Sequence, residues 1–187
     1  MPCMAWERKG AKTMYPTRNF VEADRGWIVR HSSIPEFPKE QTSVLRLLTE
    51  DGSLQLWKDV VSTRGQIIPR LLPRSHWYRK ILIAGPDWER VWNAWISGNP
   101  TCPDDIRTFL SDSVPFGLST VVYVVYSGRS SFQIPWRTFF TYWEYFLHTS
   151  DDIFLVAQGY LTFVLFAAGG LLGVGERPLS SRFDKQS

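Results

Sequence analysis

The stretch IFLVAQGYLTFVLFAAGGLLGVG, Ile153 to Gly175, decides the fold. It runs for 23 residues without a charge. About 20 apolar residues are enough to cross a bilayer as one helix. Three features favour strands instead. Gly159 and the pair Gly169-Gly170 divide the stretch into pieces of strand length. A glycine pair is a hairpin-turn signal. The pieces are rich in Val, Phe, Tyr and Thr, whose branched or aromatic side chains suit a pleated surface. The reading is a meander of three strands over 153–158, 160–168 and 171–176. The alternative is a membrane span over 153–175, with Arg177, Arg182 and Lys185 flanking it.

Working back along the chain, Asp151-Asp152 is a turn before the first of these strands. Upstream lies Pro135 to His148, where Trp136, Phe139, Phe140, Trp143, Phe146 and Leu147 recur at helical spacing. Ser127-Gly128 starts a turn, and Thr120 to Tyr126 is a β-branched and aromatic strand. Thr101 to Asp105 starts a helix that runs to about residue 112. Pro103 suits its first turn, and Asp104 and Asp105 suit the positive end of its dipole. Pro86-Asp87 opens another, with Trp88, Val91, Trp92, Trp95 and Ile96 in one stripe before Gly98-Asn99-Pro100. Lys80 to Ala84 reads as a buried strand. Ser53 to Val61 reads as a helix with Leu54, Trp57 and Val61 on one face, capped by Ser53 or by Thr49. Ile34 to Pro38 is a proline-punctuated loop, and Trp27 to His31 a short strand.

These elements predict an α+β fold, a mostly antiparallel sheet with three or four amphipathic helices packed on it. Residues 1–14 are expected to be a disordered leader, 15–178 one domain, and 179–187 a flexible tail. Length supports one domain, because 187 residues can bury a core without disulfide or metal. The 9 Trp, 12 Phe and 7 Tyr predict that this core is aromatic.

Composition narrows function by exclusion. The net charge of +3 is too small to argue for nucleic acid. Cys3 and Cys102 form neither a disulfide framework nor a metal pattern. The three histidines, His31, His76 and His148, lack metal-ligand spacing. The chain holds no G-x-S-x-G, no G-x-x-x-x-G-K-[ST] and no G-x-G-x-x-G. No cofactor is expected. Residues 2–14 carry early charges instead of an apolar signal core, and the expected location is cytoplasmic.

The most suggestive charged feature is Arg64 to Lys80, with Arg64, Arg70, Arg74, Arg79 and Lys80 and no acid. His76, Trp77 and Tyr78 lie inside it. Such a run suits an acidic protein partner, a membrane surface or a single-stranded nucleic acid, or simply a solvated loop covering apolar neighbours. Arg70, Arg74, Trp77 and Tyr78 are the candidate partner-contact residues, because they fall outside the core stripes and read as loop-borne.

The pattern Trp136-x2-Phe139-Phe140-x2-Trp143-x2-Phe146, then Asp151-Asp152, then strands ending Gly175-Glu176-Arg177, resembles small bacterial proteins of the toxin-immunity type. The resemblance covers about residues 120–178. It implies a non-enzymatic protein that binds and sterically blocks one cognate toxin, with no active site of its own. The mildly basic balance points away from a basic nuclease as target. An enzyme with a site assembled in space is the remaining alternative.

Overall fold

A computed structural model describes residues 15–21, 24, 26, 28, 36–84, 90–91, 102–147, 152–167 and 171–177. In chain order the elements are β1 (Thr17–Asn19), α1 (Lys39–Thr42), β2 (Arg46–Leu48), α2 (Glu50–Val60), a 3-10 turn (Pro69–Leu71), α3 (Trp77–Ala84) and β3 (Arg90–Val91). There follow α4 (Cys102–Ser113), β4 (Val121–Ser127), β5 (Ser130–Pro135), α5 (Trp136–Tyr142), a second 3-10 turn (Trp143–Phe146), β6 (Ile153–Ala157), β7 (Thr162–Ala167) and β8 (Leu171–Glu176). The strands make one eight-stranded sheet in the order β1-β2-β5-β4-β6-β7-β8-β3, with every described pairing antiparallel. The fold is α+β, as expected.

The apolar stretch supplies three adjacent inner strands of this sheet, between β4 and the edge strand β3. β6 pairs with β7 from Ile153↔Phe166 to Val156↔Phe163, and β7 with β8 from Thr162↔Glu176 to Ala167↔Leu171. No helix among the described residues is long and apolar enough to cross a membrane. The span over 153–175 is therefore replaced by three strands. Gly159 turns the first hairpin with φ +82°, a left-handed conformation that favours glycine.

Burial on both faces explains why the stretch reads like a membrane segment. Side chains alternate across a strand. Val122, Val124, Ile153, Leu155, Ala157, Val164 and Phe166 enter one core with α4 and α5. Tyr123, Val125, Phe154, Val156, Phe163, Leu165 and Ala167 enter a second core with α2 and α3. A sheet covered on one face would alternate apolar and polar residues, but here both sides of each central strand must be apolar. Each Phe or Leu so buried contributes about 1.5–3 kcal/mol.

The first core is aromatic. Trp136 stacks on Phe139, and Phe139 on Phe146, each at 5.8 Å, and Trp143 lies on Phe166 of β7 at 6.0 Å. The expected helix over 135–148 thus presents its core face, but it tightens into a 3-10 turn after Tyr142. Asp104 and Asp105 lie in the first turn of α4, where carboxylates suit the helix dipole. Arg107 joins Asp104 at 3.0 Å and the buried Glu144 at 3.4 Å, tying α4 to the second 3-10 turn. Burial pushes the Glu144 carboxyl up, against the opposing pull of Arg107.

Four local expectations change. α2 starts at Glu50 because Thr49 Oγ1 accepts from the Gly52 amide at 3.1 Å, so Thr49 is the cap and Ser53 lies buried inside the helix. Its core face holds Leu56, Trp57 and Val60, with Leu54 half-buried. Lys80 to Ala84 is the end of helix α3 and not a strand. A four-residue apolar run carries no period of its own, and Trp77, Tyr78 and Ile81 supply the helical face that packs on the second core. Arg90–Val91 pairs with Leu171–Leu172 of β8, so no helix runs through 90–91. The rest of the expected 86–96 helix, the leader over 1–14 and the tail over 179–187 lie outside the described residues, as does nearly all of the expected strand at 27–31.

Candidate functional site

The segment between α2 and α3 is held from below at several points. Trp57 Nε1 donates to the Gln66 carbonyl at 3.0 Å, and Trp77 Nε1 donates to the Val61 carbonyl at 3.0 Å. The Gly128 amide in the β4–β5 turn donates to the Ile67 carbonyl at 2.7 Å. The 3-10 turn is closed by the Leu71 amide on the Ile68 carbonyl at 3.0 Å. Pro69 and Leu72 are buried beneath it. Arg70 Nε reaches Asp152 Oδ2 at 3.5 Å at the start of β6.

This frame leaves Ile68, Arg70, Leu71 and Arg74 facing outward. Leu71 is 64% exposed, the most of any large apolar side chain among the described residues, and Ile68 is 46% exposed. The result is a short ridge of two aliphatic and two cationic side chains on a backbone already ordered. Ordering before contact lowers the entropic cost of binding.

Of the four residues expected at a contact surface, Arg70 and Arg74 are on this ridge. Trp77 and Tyr78 are not loop-borne. They begin α3 and lie in the second core, Trp77 with 8% exposure and Tyr78 with none. Their rings meet Phe154 at 5.9 and 5.1 Å. The physical reason is their place in the first turn of a helix laid on the sheet, which the basic residues around them conceal. Ile68 and Leu71 take their place on the ridge. The sequence carries no signal that singles them out, because Ile67-Ile68-Pro69-Arg70-Leu71-Leu72 offers four aliphatics with equal claim to the surface.

His76 closes the segment as the residue before α3. Its Nδ1 accepts from the Tyr78 amide at 3.2 Å, capping the helix. Burial first, and the Arg64 charge next, push its imidazole down to about 4, against the pull of the Val61 carbonyl. It is neutral at physiological pH and serves as an acceptor.

The frame is tight at Gly128. A Cβ there would sit 2.8 Å from Ile67 Cβ and 2.9 Å from Ile67 Cγ2, close to the Trp57 ring. Gly128→Ala is expected to lower stability by about 1–2 kcal/mol and to displace Ile67. Urea unfolding checks the first, and the amide resonances of residues 66–72 check the second.

A second feature lies at the other end of β4 and β6. Tyr15, Leu56, Asp59, Val60, Tyr123, Val156, Ala157, Gln158, Gly159 and Arg177 enclose a cleft of about 130 Å³. Tyr15 donates its hydroxyl to Asp59 Oδ2 at 2.9 Å, and Gln55 donates to Asp59 Oδ1 at 3.0 Å. The Tyr15 and Tyr123 rings meet edge-on at 5.2 Å. Burial, then the Asp59 carboxylate, pushes the Tyr15 phenol far above its ordinary value, and burial raises that of Tyr123. Both phenols stay protonated at neutral pH, so they donate hydrogen bonds and do not act as bases. Burial lowers the Arg177 guanidinium somewhat, and its charge persists. These groups can hold and orient a small polar molecule.

Among the described residues no group of three His, Cys, Asp or Glu side chains is placed to hold a metal ion. No curated protein matches the chain, and no solved structure does. One family model matches residues 19–175, a span that takes in β2 to β7, every described helix and both cores, and the chain therefore belongs to the family described as "Protein of unknown function (DUF2947)".

Proposed function

We propose that this protein is a non-enzymatic binding protein of the immunity type, which neutralises a toxin domain by seating the Ile68–Arg74 ridge in an acidic cleft of that partner. The observation that carries the reading is the ridge: exposed Leu71 and Ile68 beside Arg70 and Arg74, on backbone pinned to Trp57 and Gly128, with the Arg70 side chain set against Asp152. Arginine is among the residues that carry most binding energy at interfaces, and the aliphatic side chains beside it add apolar area on a surface ordered beforehand. Charge complementarity selects the partner. Residues 64–80 hold five bases and no acid, so an acidic surface is drawn to them and a basic one repelled.

The test is a side-by-side capture from native lysate with the wild-type chain and with Leu71→Asp and Arg74→Glu, read by quantitative mass spectrometry. Both positions are exposed, so the variants are expected to melt like the wild type. The wild type should hold one stoichiometric protein with an acidic face, with retention falling as salt rises. Each variant should weaken it about tenfold or more. Equal retention by wild type and variants, or capture of nucleic acid or lipid in place of a protein, contradicts the reading.

A further inference from the structure

The cleft at the far end of β4 and β6 has no part in the ridge, and its lining has a chemistry of its own. Among the described residues the guanidinium of Arg177 makes one side-chain hydrogen bond, from Nη2 to the Tyr160 carbonyl at a long 3.4 Å. Its Nε is buried without a partner among the described residues. A guanidinium offers five N–H donors, and a buried cationic donor left unmade is costly. Asp59 lines the same cleft but does not satisfy it. Its two oxygens accept from Tyr15 and Gln55, each with a lone pair to spare, and its charge steadies the Arg177 cation from nearby. Tyr123 also lines the cleft, where its phenol acts on that of Tyr15 and stays protonated, a second donor there.

We propose that this cleft binds a small monocarboxylate, held through its carboxylate by Arg177 and the Tyr123 hydroxyl, with its alkyl part against Leu56, Val60, Val156 and Ala157. A carboxylate matches the fork of a guanidinium, and charge-assisted pairs of this kind are the strong ones. The neighbouring Asp59 decides against a dianion. With Arg177 it leaves the lining near neutral, which accepts one further negative charge but disfavours the larger charge, about one and a half, carried by phosphate at neutral pH. Leu56, Val60, Val156 and Ala157, from α2 and β6, are themselves nearly buried and offer a short alkyl chain only their edges at the cleft floor. A volume of about 130 Å³ suits a molecule of a few heavy atoms.

The full chain is titrated with sodium butyrate, with inorganic phosphate and with butylammonium chloride, following the Arg177 Nε–H resonance by NMR. Butyrate should give a saturable shift with a Kd on the order of millimolar or tighter, and phosphate and butylammonium should bind at least about tenfold more weakly. Arg177→Lys keeps the charge and loses the fork, and should weaken butyrate about tenfold, read on the Tyr123 ring resonances. Tyr123→Phe keeps the packing and removes only the hydroxyl, and should weaken it about threefold to tenfold. Absence of a saturable butyrate shift, tighter binding of phosphate, or wild-type affinity in Tyr123→Phe overturns the proposal. None of these results depends on the ridge, whose variants leave the cleft intact.

Discussion

Trp57→Ala is expected to lower the free energy of unfolding by about 3–5 kcal/mol, measured by urea denaturation. Trp57 is fully buried in the second core, on α2 between the sheet and the 61–67 segment. Its removal leaves a cavity that the facing strand cannot fill, since Val125, Phe154 and their neighbours are already packed on both sides. The indole also donates to the Gln66 carbonyl, so alanine leaves that carbonyl without its donor. Trp57→Phe separates the two effects. It retains most of the ring and loses the hydrogen bond, and should cost about 1–2 kcal/mol. A large part of natural domain stability is at stake in the alanine variant, because the whole amounts to about 5–15 kcal/mol. The ridge should lose its order with the Trp57 anchor, so weakened partner binding should accompany the weakened fold.

Acidification should destabilise the wild type through His76 in a window set by two values. The imidazole is held near 4 in the folded chain and titrates near 6.5 when unfolded. Above about pH 6.5 it is neutral in both states, and its full contribution is present. Between about 6.5 and 4 the unfolded chain takes up a proton that the folded chain refuses, so stability falls with falling pH by up to about 1.4 kcal/mol per pH unit. Below about 4 both states are protonated and the loss levels off, at on the order of 3 kcal/mol. The structural cause is that a protonated Nδ1 no longer accepts from the Tyr78 amide, and that the charge is buried beside Arg64. His76→Asn keeps an acceptor suited to a helix cap and cannot titrate. Urea unfolding of both proteins across this window should give curves that converge toward low pH. Parallel curves would contradict the assignment.

What the sequence disclosed follows from where patterns are local. The strands over 153–176 were legible because glycines divide an uncharged run, although burial on both faces erased the alternation that separates strand from membrane helix. α4 was legible from proline and paired acids in its first turn, and the aromatic face of α5 from its spacing. β1, β2 and β5 were not, because Thr17–Asn19 and Arg46–Leu48 are three-residue strands, and Ser130–Pro135 is bounded by residues that read as turn. α3 was hidden because its buried face begins with Trp77 and Tyr78, inside a basic run. The ridge was half legible: the arginines marked the segment, but only the packing of Pro69 and Leu72 beneath it shows that Ile68 and Leu71 face outward. The cleft was not legible at all. Tyr15, Asp59, Tyr123 and Arg177 are spread over most of the chain and meet only through the sheet register.

The central claim is that the Ile68–Arg74 ridge is the surface that meets a protein partner. A photo-crosslinking residue placed at position 71, and in a control at position 118, tests it most directly. Leu118 is also exposed, but it precedes β4 and so lies at the opposite end of that strand from Gly128 and the ridge. Irradiation in native lysate should give a single adduct of defined mass from position 71 and none from position 118, and Arg74→Glu should suppress the adduct. Equal adducts from both positions, or none from position 71 while a stoichiometric partner still co-purifies, would place the contact elsewhere on the protein.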